Sequence, residues 1–261
     1  MTFTIVARDD ASSEKISHDL RLKLQTDGHQ FNDQRPEYIF FVGGDGTFLR
    51  AVQHFQAILS SVIFIGIHSG SLGFFCEYSP TEISALISDI PTFQTLAKSY
   101  PLLSMTLEGE QPQTFYAVNE VRVEDPFQTL VTHVHIDQEH LETFRGTGLI
   151  VSSTLGSSAY NKSLGGSVVD GRLPTLQLTE MASIQNNVYR SLGSSLVLDP
   201  TRKITFKGDF KSAIFGYDHQ LYKPEKIVDS VTVSLSGIAL KIVHQKRHSY
   251  IETIRKTFVK N

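Results

Sequence analysis

The sequence predicts an α/β layer over its first ~100 residues and a β-rich second part. Three observations carry that expectation. Continuous apolar runs alternate with helix-spaced apolar residues in the first part. A glycine-rich turn joins one such run to a helix. Beyond Tyr100 the apolar stretches become short, alternating and separated by turn residues.

In the first part, "FTIVA" (Phe3 to Ala7) reads as a strand, and Ile16, Leu20 and Leu24, spaced four apart, mark the helix after it. "YIFFV" (Tyr38 to Val42) and "VIFIGI" (Val62 to Ile67) have the unbroken apolar character of strands buried on both faces. Between them Phe48, Leu49, Val52 and Phe55 share a helical face, with Thr47 as the expected N-cap. "SPTE" has a capping-box pattern, with Ser79 as cap, Pro80 in the first turn and Glu82 closing the box. Ile83, Leu86, Ile87 and Ile90 give that helix its apolar stripe. In the second part "LLSMTLEG", "TFYAVNEVRVE", "LVTHVHID", "KITFKG", "SAIFGYD" and "VTVSLSG" read as strands. A helix is expected near "SSAYNKSLGG", and the last stretch, "HSYIETIRKTFVKN", reads as helical.

Composition narrows the function classes. With 261 residues, 40% of them hydrophobic, the chain is long enough for one large or two smaller cores. A net charge of −3 gives no surplus to attract nucleic-acid phosphates. The single cysteine, Cys76, excludes an intrachain disulfide and a thiolate zinc cage. No apolar stretch reaches the ~18 residues of a membrane span, and the N-terminal run is too short for a signal peptide. A cytoplasmic protein without membrane or nucleic-acid partners is expected.

"GGDGT" (Gly43 to Thr47) follows a buried strand and opens a helix, the position at which open α/β sheets bind ligands. Glycines let phosphate oxygens approach backbone N–H groups, and a helix N-terminus favours their charge. The stretch lacks the Lys-Ser/Thr ending of a Walker A loop. It also lacks the third glycine of the dinucleotide fingerprint, because Leu49 stands there. A carboxylate among phosphate-binding amides needs a task. Asp45 can take a proton from an attacking hydroxyl, or hold Mg²⁺ between phosphates. Either task makes this a phosphoryl-transfer site.

Four segments in order resemble the NAD kinase family in its smaller bacterial form. They are "GGDGTFLRA", "GIHSGSLGFF" (Gly66 to Phe75), "NEV" (Asn119 to Val121) and "FRGTGLIVSSTLGSSAYNKSLGG" (Phe144 to Gly166). The first alone is shared with diacylglycerol-type lipid kinases and phosphofructokinases; the four together are specific. The resemblance implies an α/β nucleotide-binding domain over 1–99, to which a helix at 244–261 returns. It implies a sandwich-like all-β, NAD-binding domain over 100–243, with the ligand site between the two. The implied reaction transfers the ATP γ-phosphoryl, or polyphosphate in some members, to the adenosine-ribose 2′-hydroxyl of NAD. Mg²⁺ or another divalent metal accompanies ATP, no tightly bound cofactor is expected, and the assembly is a homodimer or homotetramer.

By the same resemblance Asp45 is the base. Gly43, Gly44, Gly46, Thr47 and Arg50 belong to the nucleotide site, as does His68, which stands where many members have Asn. Phe74 and Phe75 lie beside adenine. Asn119 and Glu120 contact the adenosine part, and Ser158, Ala159, Tyr160, Asn161, Lys162 and Ser163 hold adenine and ribose. Arg145 meets a phosphate or a partner subunit. Ala182 and His219 complete the set.

The residue chemistry agrees. A 2′-hydroxyl is a weak nucleophile and needs a base within hydrogen-bond reach. An Asn side chain is a donor–acceptor fork suited to hydroxyls and purine edges, and aromatic faces suit a flat base. Two departures stand out. Thr147 replaces the family's aspartate between Gly146 and Gly148, the residue that by this resemblance meets the nicotinamide end. Thr154 and Leu155 replace a proline and a threonine, and so remove the proline's stiffening of that loop.

His133 and His135 are two apart on one strand face. A metal site there needs a third ligand that the sequence does not identify, and a cross-strand role is the simpler expectation. "KRH" at Lys246 to His248 reads as a solvated face. Two alternatives to the kinase are a lipid kinase, which would want an apolar lip or a basic amphipathic helix, and a catalytically weak NAD(P) sensor, suggested by Thr147 and Leu155.

Overall fold

The computed structural model describes residues 1–70, 73–244 and 249–259. The chain divides into two compact units, Met1–Tyr100 with Ile238–Asn261, and Pro101–Gly237.

The first unit is built on parallel strands in the order β2 (Gln30–Phe31), β1 (Thr2–Ala7), β3 (Tyr38–Gly43) and β4 (Ile63–His68). The end of the long strand Val228–Val243 adds to β4 in parallel, with Lys241 and Ile242 opposite Ile63 and Phe64. Every residue of β3 is buried, which explains its unbroken apolar run. Helix α1 (Ala11–Thr26) starts where the Asp10 carboxylate accepts the Ser12 and Ser13 N–H groups. The Ser79–Glu82 capping box forms as the sequence suggests, but it opens a short 3₁₀ turn, Pro80–Glu82, before the helix Ile83–Asp89. On one side of the sheet Phe3, Leu20, Phe40, Tyr78, Leu86 and Phe93 share a core. On the other, the ring of Phe48 packs 4.3 Å from that of Phe75 and edge-on to that of Phe64. Each such ring removed from water contributes roughly 1.5–3 kcal/mol.

The last helix, Tyr250–Phe258, brings the rings of Tyr250 and Phe258 to 6.4 and 5.9 Å from Phe74. Nearby, the His244 ring Nδ1 lies 2.9 Å from a carboxylate oxygen of the buried Glu77. "KRH" falls outside the described residues.

The second unit has two layers. One is an antiparallel sheet in the order Leu196–Leu198, Leu176–Met181, Gly148–Ser153, Glu120–Glu124, Ile214–Tyr217 and Gln220–Tyr222. The other contains Val228–Val243, Ile204–Gly208, Leu130–Ile136 and Glu139–Gly146, with Gln113–Ala117 on Ala97–Gly109. Met105, Val121, Leu149, Phe206 and Phe215 come from both layers into one core. "TFYAVNEVRVE" is two strands, because the chain bends at Val118 and Asn119. The helix expected near "SSAYNKSLGG" is only a 3₁₀ turn, Leu155–Ser158, and a single α-turn, Tyr160–Ser163. His135 sits opposite His140, and His133 opposite Thr143, whose hydroxyl is 2.9 Å from the His133 ring. Among the described residues no group of three His, Cys, Asp or Glu is arranged to hold a metal. No described helix is long and apolar enough to cross a membrane.

Candidate active site

The glycine turn begins where β3 ends. Gly43 takes φ 156°, and a β-carbon on it would collide with the Thr47 side chain. Only glycine meets both demands. The N-cap of the next helix, α2 (Asp45–His54), is Gly44 and not Thr47. Thr47 is buried inside the first turn, where its N–H donates to the Gly44 carbonyl at 2.9 Å. The expected cap is displaced because the helix starts earlier, at Asp45. β-Carbons built on Gly44 and Gly46 meet no described protein atom within 4 Å. The turn is therefore open backbone at a helix N-terminus, suited to anionic oxygens.

Asp45 stands at the first position of this helix. Its carboxylate accepts the Phe74 N–H at 3.2 Å and the Phe75 N–H at 3.3 Å. Gly73 lies directly against it. Burial pushes the Asp45 carboxyl above its ordinary range, and the two amides only partly oppose that. A carboxylate so placed is a stronger base than one in water. Phe75 is core, stacked on Phe48, while Phe74 is half-buried. Both act on Asp45 through their backbone, a role that side-chain reasoning did not anticipate. His68 ends β4, and its Nδ1 lies 2.9 Å from the Gly70 carbonyl. Donation from Nδ1 leaves Nε2 as an acceptor. Arg50 is exposed on α2.

In the second unit Asn119 and Glu120 are 9% and 6% exposed, yet Asn119 Oδ1 and Glu120 Oε2 are buried with no hydrogen-bond partner. Unpaired buried polar atoms are costly, and each calls for an explanation. The Asp218 carboxylate grips this pair from the hairpin turn by accepting the Val118 and Asn119 N–H groups at 2.9 and 2.7 Å. Burial, with the neighbouring Asp218 charge, raises the Glu120 carboxyl to about 8, against a weaker opposing effect of Arg122.

Tyr160 is 37% exposed, and the Arg122 guanidinium lies 5.4 Å from its ring centre. Ser158 and Ala159 are half-buried beside it, and Lys162 and Ser163 are exposed. Asn161 is fully buried, accepting the Thr179 hydroxyl at 2.8 Å and packed against Gly166. The missing proline is compensated. The Thr154 hydroxyl donates to the Leu173 carbonyl at 2.7 Å and accepts the Thr175 N–H at 2.9 Å, so hydrogen bonds restrain the loop where a ring would have done so.

Arg145, Thr147 and Ala182 come together around Gly146. The Thr147 N–H donates to the Met181 carbonyl at 3.0 Å, and the Arg145 carbonyl accepts the Ile184 N–H at 2.7 Å. The Arg145 guanidinium covers the Tyr189 ring at 4.4 Å. Ala182 is exposed in a left-handed conformation, φ 47°. His219 is exposed in the hairpin turn after Asp218.

Two family models match the chain. Residues 4–94 match the ATP-NAD kinase N-terminal domain, and residues 118–245 match the ATP-NAD kinase C-terminal domain. The chain belongs to the NAD kinase family. Members of this family are phosphotransferases, and this chain is an enzyme of that class. It is similar to "NAD kinase 1" of Bacillus anthracis, 39% identical over 99% of both chains. To the NAD kinase of Leuconostoc citreum (strain KM20) it is 36% identical, over 87% of this chain and 86% of that one. Among solved structures the fold is similar to yeast NADH kinase complexed with NADH. There the TM-score is 0.85 at 17% identity, covering 100% of this chain and 88% of that one. It is also similar to an NAD kinase from Archaeoglobus fulgidus in complex with ATP. That match has a TM-score of 0.79 at 21% identity, covering 98% and 99%.

Gly73, Ser153 and Asp218 were not anticipated as site residues. Gly73 was visible as one more glycine of "GSLGFF". Asp218 and Ser153, whose hydroxyl donates to the Val118 carbonyl at 2.6 Å, act by gripping backbone brought close by folding, and nothing in their local sequence announces it.

Proposed function

We propose that this NAD kinase transfers the γ-phosphoryl of ATP to the adenosine-ribose 2′-hydroxyl of NAD, with Asp45 as general base. The 2′-oxygen forms a bond to the γ-phosphorus, the bond from that phosphorus to the β,γ-bridging oxygen breaks, and ADP leaves. The hydroxyl proton goes to Asp45. The observation that carries this reading is the Asp45 carboxylate itself, desolvated, held by the Phe74 and Phe75 amides, and set at an open glycine turn. Gly44 and Gly46 leave backbone accessible to phosphate oxygens, and the N-terminus of α2 favours their charge.

Asn119, Glu120 and Tyr160 receive the adenosine part, for which the two unpartnered oxygens and an accessible ring are suited. Thr147 receives the nicotinamide end, Arg145 meets a phosphate or a partner subunit, His68 and Arg50 line the nucleotide turn, and Ala182 and His219 border the ligand site. A divalent metal entering with ATP would neutralise phosphate charge, and Asp45, the carboxylate of the glycine turn, would be the residue there able to hold it. Assembly as a homodimer or homotetramer and residence in the cytoplasm belong to the same reading. Neither the lipid kinase nor the weak sensor has an observation in its favour.

The test is NADP formation by the purified protein from NAD, ATP and Mg²⁺, with diacylglycerol as competing acceptor. NADP formation is expected. Phosphorylation of the lipid alone ends this reading.

A further inference from the structure

We propose that Asp218 is a positioning residue, which fixes the bend Val118–Glu120 so that the free oxygens of Asn119 and Glu120 meet the hydroxyl and ring-nitrogen groups of a bound nucleoside. This rests on the NAD reading above and adds to it a residue and a protonation state.

Four observations lead there. Asp218 occupies the turn between the strands Ile214–Tyr217 and Gln220–Tyr222 with φ 50°, a conformation that Asp tolerates better than most residues. From it, two carboxylate oxygens take the N–H groups of Val118 and Asn119, and the Asp218 N–H donates to the Glu120 carbonyl at 3.0 Å. On the opposite edge of the bend the Ser153 hydroxyl donates to the Val118 carbonyl at 2.6 Å, and the Ser153 N–H donates to the Asn119 carbonyl at 2.9 Å. Gly156 closes the grip, since any β-carbon there would collide with the Asn119 backbone. The backbone of the bend is thus satisfied on both edges while two buried side-chain oxygens remain unsatisfied. A fold that commits a half-buried carboxylate to holding backbone, and leaves the neighbouring buried side-chain oxygens unpaired, has pre-organised those side chains for a ligand.

The electrostatics give the pair its chemistry. The half-buried Asp218 and the buried Glu120 put two carboxyls beside each other, and they cannot both hold a charge cheaply. Asp218 has amide donors on both oxygens and holds the charge better. Glu120 has an orphan oxygen and takes the proton. The groups facing Glu120 are Asp218 and, on its own strand, Arg122; His219 lies next to Asp218. Opposite it the strand Gly148–Ser153 offers only Ser152. At neutral pH Glu120 is therefore a hydrogen-bond donor as well as an acceptor. Asn119 and Glu120 together can both give to and accept from a nucleoside.

The experiment compares wild type with Asp218→Asn by NAD calorimetry, by KM and kcat, and by amide hydrogen exchange, between about pH 6.5 and 9. The amide of Asn cannot accept two N–H groups with its nitrogen end, so one buried donor is left unpaired. NAD binding should weaken about five- to 150-fold, with kcat at saturating NAD changed far less. Exchange at the Val118 and Asn119 amides should accelerate. In wild type, NAD affinity should decline as pH rises through about 8, and in Asp218→Asn that decline should move to lower pH, because the facing negative charge is gone. An unchanged KM together with an unchanged pH profile overturns the proposal. Should Asp218→Asn not fold, the wild-type profile decides, and a flat NAD affinity across this range overturns it. If wild type forms no NADP, the NAD reading falls. The exchange rates then decide the positioning role alone, and unaltered exchange at Val118 and Asn119 overturns it.

Discussion

Gly73 and Asp45 touch: a β-carbon on Gly73 would collide with the carboxylate that Phe74 and Phe75 hold through their N–H groups. The segment that anchors the base is thus also the segment that leaves it room. Gly73→Ala should push the carboxylate out of line without disturbing the core ring of Phe75. Misplacement by about 1 Å costs about 10²-fold in rate, so kcat for NADP formation should fall by that order. NAD affinity and melting temperature should change little. Steady-state kinetics beside thermal melts check this, and an unchanged kcat would show that Asp45 needs no such clearance.

Burial raises the Asp45 carboxyl above its unfolded value, and the sign of the stability effect follows. Between the unfolded and the folded value the native state binds more protons, so stability falls as pH rises through that window. Asp45→Asn removes the penalty; its nitrogen end leaves one of the Phe74 and Phe75 N–H groups unpaired, but these bonds are long, at 3.2 and 3.3 Å, and the desolvation relieved outweighs the one lost. Its melting temperature should exceed that of wild type near neutral pH, and the gap should narrow as pH drops toward the ordinary carboxylate range. Melts at about pH 4.5 and 7.5 check it. A variant less stable than wild type at both would mean that the Phe74 and Phe75 amides outweigh desolvation.

Thr147 keeps a hydroxyl where the family's aspartate would carry charge. Its backbone is already fixed, by the Met181 carbonyl and by the Asp125 N–H that its own carbonyl accepts at 2.8 Å, so a change there alters the side chain alone. Thr147→Asp should strengthen NAD binding by a fraction of the ~1.5–3 kcal/mol of a charge-assisted hydrogen bond. Calorimetry measures this, and a large loss of affinity would mean that the nicotinamide end lies elsewhere.

The strands of the first unit were legible because burial on both faces leaves a local signature, as in Tyr38–Val42. The Ser79–Glu82 cap was legible because its hydrogen bonds are local in sequence. The strands Gly148–Ser153 and Leu176–Met181 were not foreseen. The first carries glycine and serine, and what makes it a strand is pairing with Glu120–Glu124 and Leu176–Met181. Thr47 was misread as a cap because its hydroxyl suits that role, whereas the conformation of Gly43 starts the helix at Asp45. Asp45 could be singled out by the chemistry of a carboxylate in a glycine turn, and Asn119 and Glu120 by their resemblance to the family's Asn-Glu pair. What holds them could not, since Gly73 lies 28 residues from Asp45 in sequence and Asp218 lies 99 from Asn119.

The central claim is that Asp45 takes the proton of the attacking 2′-hydroxyl. Asp45→Asn keeps the shape of the side chain and removes the base. General-base catalysis contributes about 10²–10⁴-fold, and the account predicts that kcat for NADP formation falls by that factor while NAD affinity, read by calorimetry on the same preparations, holds or rises slightly. A kcat within about threefold of wild type would contradict it, leaving Asp45 as neither base nor essential metal ligand.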